Sequence, residues 1–127
     1  MLLDSFHNYK PFHFTHQGAS WAGKQSTKWL GTEWKGSADE KNEVRDYLDI
    51  AADWGEKHNR PIYMGEFGAY SKADMASRCR WTAFVRSEAE KRKMSWAYWE
   101  FCAGFGVYDK DQGKWRQGLL QALIPRN

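Results

Sequence analysis

The chain has 127 residues, 17% of them aromatic and eight of them Trp, with 19 Lys and Arg against 16 Asp and Glu for a net charge of +3. This length supports one domain with a real core, and the aromatic content excludes a disordered chain. No run of about 18 apolar residues occurs and mean hydropathy is −0.82, so no membrane span is expected. The basic residues are spread along the chain among acids, which argues against a nucleic-acid partner despite a pI near 8.9.

Leu2-Leu3-Asp4-Ser5-Phe6 reads as a short buried strand ending near His7, because Pro11 cannot continue a central strand. The opening residues lack a basic region and a long apolar run, so no signal peptide is expected in them. Residues 12–38, rich in Gly, Ser and Thr, read as one long functional loop. Ser37 and Glu40 form a capping-box pattern that starts a helix. Val44, Tyr47, Leu48, Ala51 and Ala52 continue it at helical spacing to between Gly55 and His58.

Ile62 to Gly68 is a second apolar strand carrying Glu66 between Gly65 and Gly68. Ser71 to Asp74 cap a second helix, expected to reach Lys93. Met75, Cys79, Thr82, Val85 and Ala89 would form its buried face, with Arg and Glu on the other. Ser95 to Phe101 is an aromatic third strand. A glycine loop from Cys102 to Trp115 leads to a last helix, Gln117 to Leu123. Strands alternating with helices predict an α/β chain with a parallel sheet.

Polar groups follow each predicted strand: His7 and Tyr9, then Glu66, then Trp99 and Glu100. Active sites of parallel α/β folds lie at that end. Glu66, flanked by glycines, has room for a substrate beside it; a surface carboxylate that caps a helix or pairs with Arg60 is the plainer reading. His7 and Tyr9 are two apart and share one side of an extended chain, so the pair could orient a carboxylate or simply border a turn. Trp99 is either a ligand contact or core. Trp21, Trp29, Trp34 and Trp115 fall in loops, where an indole either stacks on a sugar or packs the loop. His7, His13 and His16 lack the spacing of a metal site, so no metal is expected. Cys79 and Cys102 allow at most one disulfide and carry no nucleophile signature.

Three segments, FHNYKPFHFTHQGASW, RPIYMGEFGAYSKAD and SWAYWEFCAGFGVYD, together resemble the C-terminal part of glycoside hydrolase family 5 cellulases. The resemblance implies a partial (β/α)8 barrel: three consecutive βα units corresponding to strands six to eight. A full barrel needs about 250 residues. It implies retaining hydrolysis of β-1,4-glucan, with Glu66 as nucleophile and with His7 and Tyr9 in the catalytic subsite. Trp99 would form the sugar platform, and Trp34 and Glu100 are expected as further sugar contacts. No cofactor is implied, and family members are commonly extracellular or periplasmic.

The family's acid/base Glu lies in an Asn-Glu-Pro motif, and none occurs here. Asn42-Glu43 is followed by Val44 within a predicted helix. The chain alone is therefore expected to hydrolyse weakly or not at all, and a non-catalytic carbohydrate-binding or structural half-barrel is the alternative. Asn8 stands where the family often has an aromatic residue. Open strand edges predict a homo-oligomer that covers the exposed barrel face.

Overall fold

Ser37 starts the longest helix. Its hydroxyl accepts from the Glu40 N–H at 3.3 Å while the Glu40 carboxylate accepts from the Ser37 N–H at 2.7 Å, so the capping box is complete. The computed structural model describes residues 2–126. In it this helix, α2, spans Ala38–His58 and ends at Asn59 in the left-handed conformation. Before it come strand β1 (Asp4–Asn8) and a short helix α1 (Phe12–Thr15). After it come strand β2 (Ile62–Phe67), helix α3 (Met75–Lys91), strand β3 (Ser95–Trp96), a small antiparallel pair β4 (Tyr108–Asp109) and β5 (Lys114–Trp115), and helix α4 (Gln117–Leu123). No described helix is long and apolar enough to cross a membrane.

The main sheet has the order β1-β2-β3 with both pairings parallel, as strand–helix alternation predicts. Buried Val44 and Leu48 of α2, Met64 and Phe67 of β2, and Trp81 and Val85 of α3 form the centre of its core. The Trp81 indole N–H also donates to the Lys10 carbonyl at 3.0 Å, which ties α3 to the segment after β1.

Besides the first strand, which begins at Asp4 and leaves Leu2 and Leu3 exposed rather than buried, four sequence expectations need correction. The third strand is regular only over Ser95–Trp96. Beyond it the chain follows β2 through two isolated bonds, Ala97 N–H to Met64 O and Trp99 N–H to Phe67 O. Residues 12–38 are not one open loop: they hold α1 and two 3-10 turns, Ser20–Ala22 and Lys24–Trp29. Buried Gln17 staples them, donating to the carbonyls of Phe14 and Thr32 and accepting from the Gly31 N–H. Residues 102–115 contain the β4/β5 pair.

The fourth correction concerns α3. Met75 is exposed, whereas Arg78 and Glu88 are buried. Arg78 is accommodated because it donates to the carbonyls of Ala69 and Phe105. Glu88 is accommodated by Lys91 at 2.6 Å, Arg92 at 2.9 Å and Arg45 at 3.4 Å. A buried charge is tolerated only with such partners, and a periodicity of apolar residues carries no trace of them.

Candidate active site

Parallel strands bring their carboxyl ends to one edge of the sheet, and the polar residues that follow the three strands meet there. The register makes the meeting specific. Phe6 lies opposite Met64, but the next pair is His7 opposite Glu66, so Gly65 is skipped. This irregularity sets Glu66 beside His7 on the same side of the sheet, as bulges near sites often do.

The Tyr9 hydroxyl donates to Glu66 Oε2 at 2.6 Å, a short bond of the charge-assisted kind. His7 Nδ1 lies 3.4 Å from the same oxygen. Glu66 Oε1 makes no hydrogen bond among the described residues. Burial and then the Glu66 hydrogen bond push the Tyr9 phenol well above its ordinary range, so it stays a proton donor. Thr15 holds Tyr9 from behind, its hydroxyl donating to the Tyr9 carbonyl at 2.6 Å.

A cleft of about 550 Å³ opens above this group, bordered by Tyr9, Glu66, Trp99 and Glu100. An aromatic wall of His16, Trp21, Tyr70 and Phe105 lines it further, with Ala103 and Gly104 beside it. His16 packs edge-on to Tyr9 at 4.9 Å, and Trp21 packs edge-on to Tyr70 at 4.9 Å. Burial lowers the His16 pKa, which favours the neutral ring. The sequence reading did not single out Tyr70 or Phe105, although both lie inside the two later motifs. It had His16 only in a metal context and Trp21 only as one loop Trp among four. Among the described residues no group of three or more His, Cys, Asp or Glu side chains could hold a metal ion. His13 instead stacks on Trp29 at 4.5 Å.

The backbone of Trp99 sits against Gly68. A Cβ at that glycine would collide with the Trp99 carbonyl oxygen, so only glycine permits this approach. The Trp99–Glu100 peptide is cis, and the Trp99 ring is 46% exposed at the cleft. Glu100 borders the cleft, but its carboxylate already accepts the N–H groups of Cys102, Ala103 and Phe105 at 2.7–3.0 Å. It holds its own loop closed beneath the aromatic wall. Arg78 reinforces that wall from inside through its bond to the Phe105 carbonyl, which also accepts from the Tyr98 hydroxyl at 2.7 Å. Burial pushes the Tyr98 phenol up to about 12.

Trp34, expected as a sugar contact, is not at the cleft. It is 1% exposed, with its ring 5.7 Å from Phe84 in the core. The cause lies in α3: Ser77 Oγ accepts the Trp34 N–H, and Arg80 donates twice to the Trp34 carbonyl. Both backbone groups are taken by the helix, and the ring turns inward. Cys79 and Cys102 are both free thiols.

The cellulase model of glycosyl hydrolase family 5 matches residues 2–104. Endoglucanase H of Acetivibrio thermocellus is 33% identical over 129 residues, an alignment covering 97% of this chain and 13% of that protein. The crystal structure of Thermotoga maritima Cel5A in complex with mannotriose superposes with a TM-score of 0.90 at 53% identity, covering 94% of this chain and 38% of that one. The Clostridioides difficile cellulose synthase subunit Z superposes with a TM-score of 0.88 at 39% identity, covering 94% and 40%. The chain thus spans well under half the length of these relatives. With three parallel strands in that correspondence, it folds as part of a (β/α)8 barrel and belongs to glycosyl hydrolase family 5.

Proposed function

We propose that the chain is the nucleophile-bearing part of a retaining endo-β-1,4-glucanase site, with Glu66 as the nucleophile. The observation that carries this reading is the clamp on Glu66. One carboxylate oxygen is fixed by the Tyr9 hydroxyl at 2.6 Å and faces His7, while the other accepts no hydrogen bond among the described residues, and Glu66 lines an aromatic cleft. Carboxylate nucleophiles of retaining glycosidases need this combination of a fixed direction and a free lone pair.

In the step assigned to this chain, a Glu66 Oε1 lone pair forms a bond to the anomeric carbon. The glycosidic C–O bond breaks, and its electron pair leaves with the aglycone oxygen. Tyr9 and His7 hold the other oxygen and absorb the change of charge on the carboxylate. Trp99 offers an exposed face on which the sugar ring can stack, with Trp21 and Tyr70 farther along the wall. On a natural glucan the leaving oxygen requires a proton from a second carboxyl group about 5–5.5 Å from the nucleophile. Glu100 does not fit that role, because three N–H groups already occupy its oxygens. Hydrolysis of cellulose by the 127 residues alone is therefore weak or absent, since general acid catalysis is worth about 10²–10⁴-fold.

A substrate whose leaving group needs no proton separates the two roles. With 2,4-dinitrophenyl β-cellobioside, the chain should release dinitrophenolate in a burst approaching one equivalent, followed by slow turnover. Glu66→Gln should release none. A burst that survives in Glu66→Gln would refute Glu66 as the nucleophile. Quenching of Trp fluorescence by cellotetraose with no burst would favour a binding-only site.

A further inference from the structure

Thr15 is fully buried, and each of its polar atoms is engaged behind the cleft. Its N–H donates to the Pro11 carbonyl, and its own carbonyl accepts the Tyr70 N–H at 2.8 Å. Its hydroxyl oxygen lies 2.6 Å from the Tyr9 carbonyl oxygen and 2.9 Å from His16 Nδ1. The side chain thus stands between the clamp on Glu66 and the aromatic wall. A hydroxyl has one proton to give, and a carbonyl can only accept. Two oxygens this close need a proton between them, so the Thr15 proton points at Tyr9. The Thr15 oxygen must then accept from His16, which places a proton on Nδ1. Burial lowers the His16 pKa, so the neutral ring carries no second proton.

His16 Nε2 is left with a bare lone pair. It makes no hydrogen bond among the described residues, yet their buried unpartnered polar atoms are Asn8 Nδ2, Trp34 Nε1 and Thr82 Oγ1 and do not include it. Nε2 therefore meets solvent, and its ring borders the Glu66 cleft. Phe12 stacks on that ring at 4.1 Å and Tyr9 packs edge-on to it at 4.9 Å, which fixes its plane. We propose that Thr15 is a positioning residue with two tasks carried by one hydroxyl. Its proton anchors the Tyr9 carbonyl, and its lone pair locks His16 in the Nδ1–H form, so that Nε2 meets the bound sugar as an acceptor for one of its hydroxyls. Which imidazole nitrogen carries the proton is set by the bond the other makes. Among the described residues only the Thr15 hydroxyl makes such a bond to His16. The locked tautomer rests on this geometry alone, whereas its use rests on the sugar-binding reading proposed above, so each can fail without the other.

Two-bond proton–nitrogen correlation NMR of the isotope-labelled chain reads the tautomer directly, at about pH 8 where histidine is neutral. The signal missing from His16→Asn identifies the ring. The parent should show Nδ1–H, a result that needs no variant at Thr15 to fold. Thr15→Val keeps the shape and removes the hydroxyl, and should move the proton to Nε2; Thr15→Ser keeps the hydroxyl and should retain Nδ1–H. Cellotetraose affinity, read by Trp fluorescence, should fall about 3- to 10-fold in Thr15→Val, the worth of one neutral hydrogen bond, and return in Thr15→Ser. An Nε2–H ring in the parent, or an Nδ1–H ring that survives in Thr15→Val, would overturn the lock. A switched tautomer with unchanged affinity would overturn the acceptor role. A parent that shows Nδ1–H but binds no cellotetraose would support the lock and refute the sugar-binding reading of the cleft.

Discussion

Replacing Gly68 with alanine adds one carbon where the backbone of the Trp99 segment comes closest to β2. The new Cβ would sit inside the van der Waals shell of the Trp99 carbonyl oxygen and 3.2 Å from both the Trp99 carbonyl carbon and Phe105 Cδ1. Backbone cannot rotate out of the way as a side chain can, so the Trp99 segment must move outward. Overpacking of this kind costs about 1–3 kcal/mol. The move also strains the Trp99 N–H bond to the Phe67 carbonyl, now 2.8 Å, whose loss costs about 0.5–1.5 kcal/mol. Gly68→Ala should therefore lose about 2–4 kcal/mol of stability.

Gly65 flanks Glu66 on the other side and provides the control. A Cβ there would meet nothing closer than the Tyr63 ring at 3.4 Å, an ordinary contact, so Gly65→Ala should stay within about 0.5 kcal/mol of the parent. Urea unfolding followed by Trp fluorescence reads both variants. Cellotetraose quenching should weaken in Gly68→Ala under folding conditions, because Trp99 has moved. Equal stability of the two variants, or a Gly68→Ala protein within about 0.5 kcal/mol of the parent, would refute the close-approach argument.

Other outcomes follow from the same contacts. Trp34→Ala should cost about 3–5 kcal/mol of stability without changing the oligosaccharide affinity of the folded protein, while Trp99→Ala should do the reverse; unfolding and fluorescence titration separate them. Glu100→Ala should speed hydrogen exchange at the amides of Cys102, Ala103 and Phe105, which it now accepts. Burial alone would raise the Glu88 carboxyl, but Lys91 and Arg92 outweigh it and hold the group below its ordinary value of 4.5. Its contribution is thus present above about pH 4.5 and lost as pH falls through the depressed folded value; Glu88→Gln should flatten that part of the acid-unfolding curve.

Much of the fold was readable because its signals are local. The Ser37–Glu40 box marks the start of α2 within one residue, and the apolar run at Ile62 marks β2. His7, Tyr9 and Glu66 were legible as a group because parallel strands place their ends together. What the sequence could not show depends on distant partners. Trp34 turns inward because Ser77 and Arg80 take its backbone groups, more than forty residues away. Arg78 and Glu88 are buried because carbonyls and ions elsewhere receive them. The third strand has the composition of a long strand, yet only two residues pair regularly before the chain turns against Gly68. The aromatic wall came from three separate segments, and only folding reveals that His16, Trp21, Tyr70 and Phe105 share one cleft.

The central claim is that Glu66 forms a covalent bond to the sugar. Incubating the chain with 2,4-dinitrophenyl 2-deoxy-2-fluoro-β-cellobioside and mapping the adduct by peptide mass spectrometry tests it directly, because the activated leaving group departs without an acid and the fluorine slows release of the ester. A single fluorocellobiosyl group is expected on the peptide carrying Glu66, absent from Glu66→Gln. Labelling of any other carboxylate, or an equally labelled Glu66→Gln protein, would contradict it.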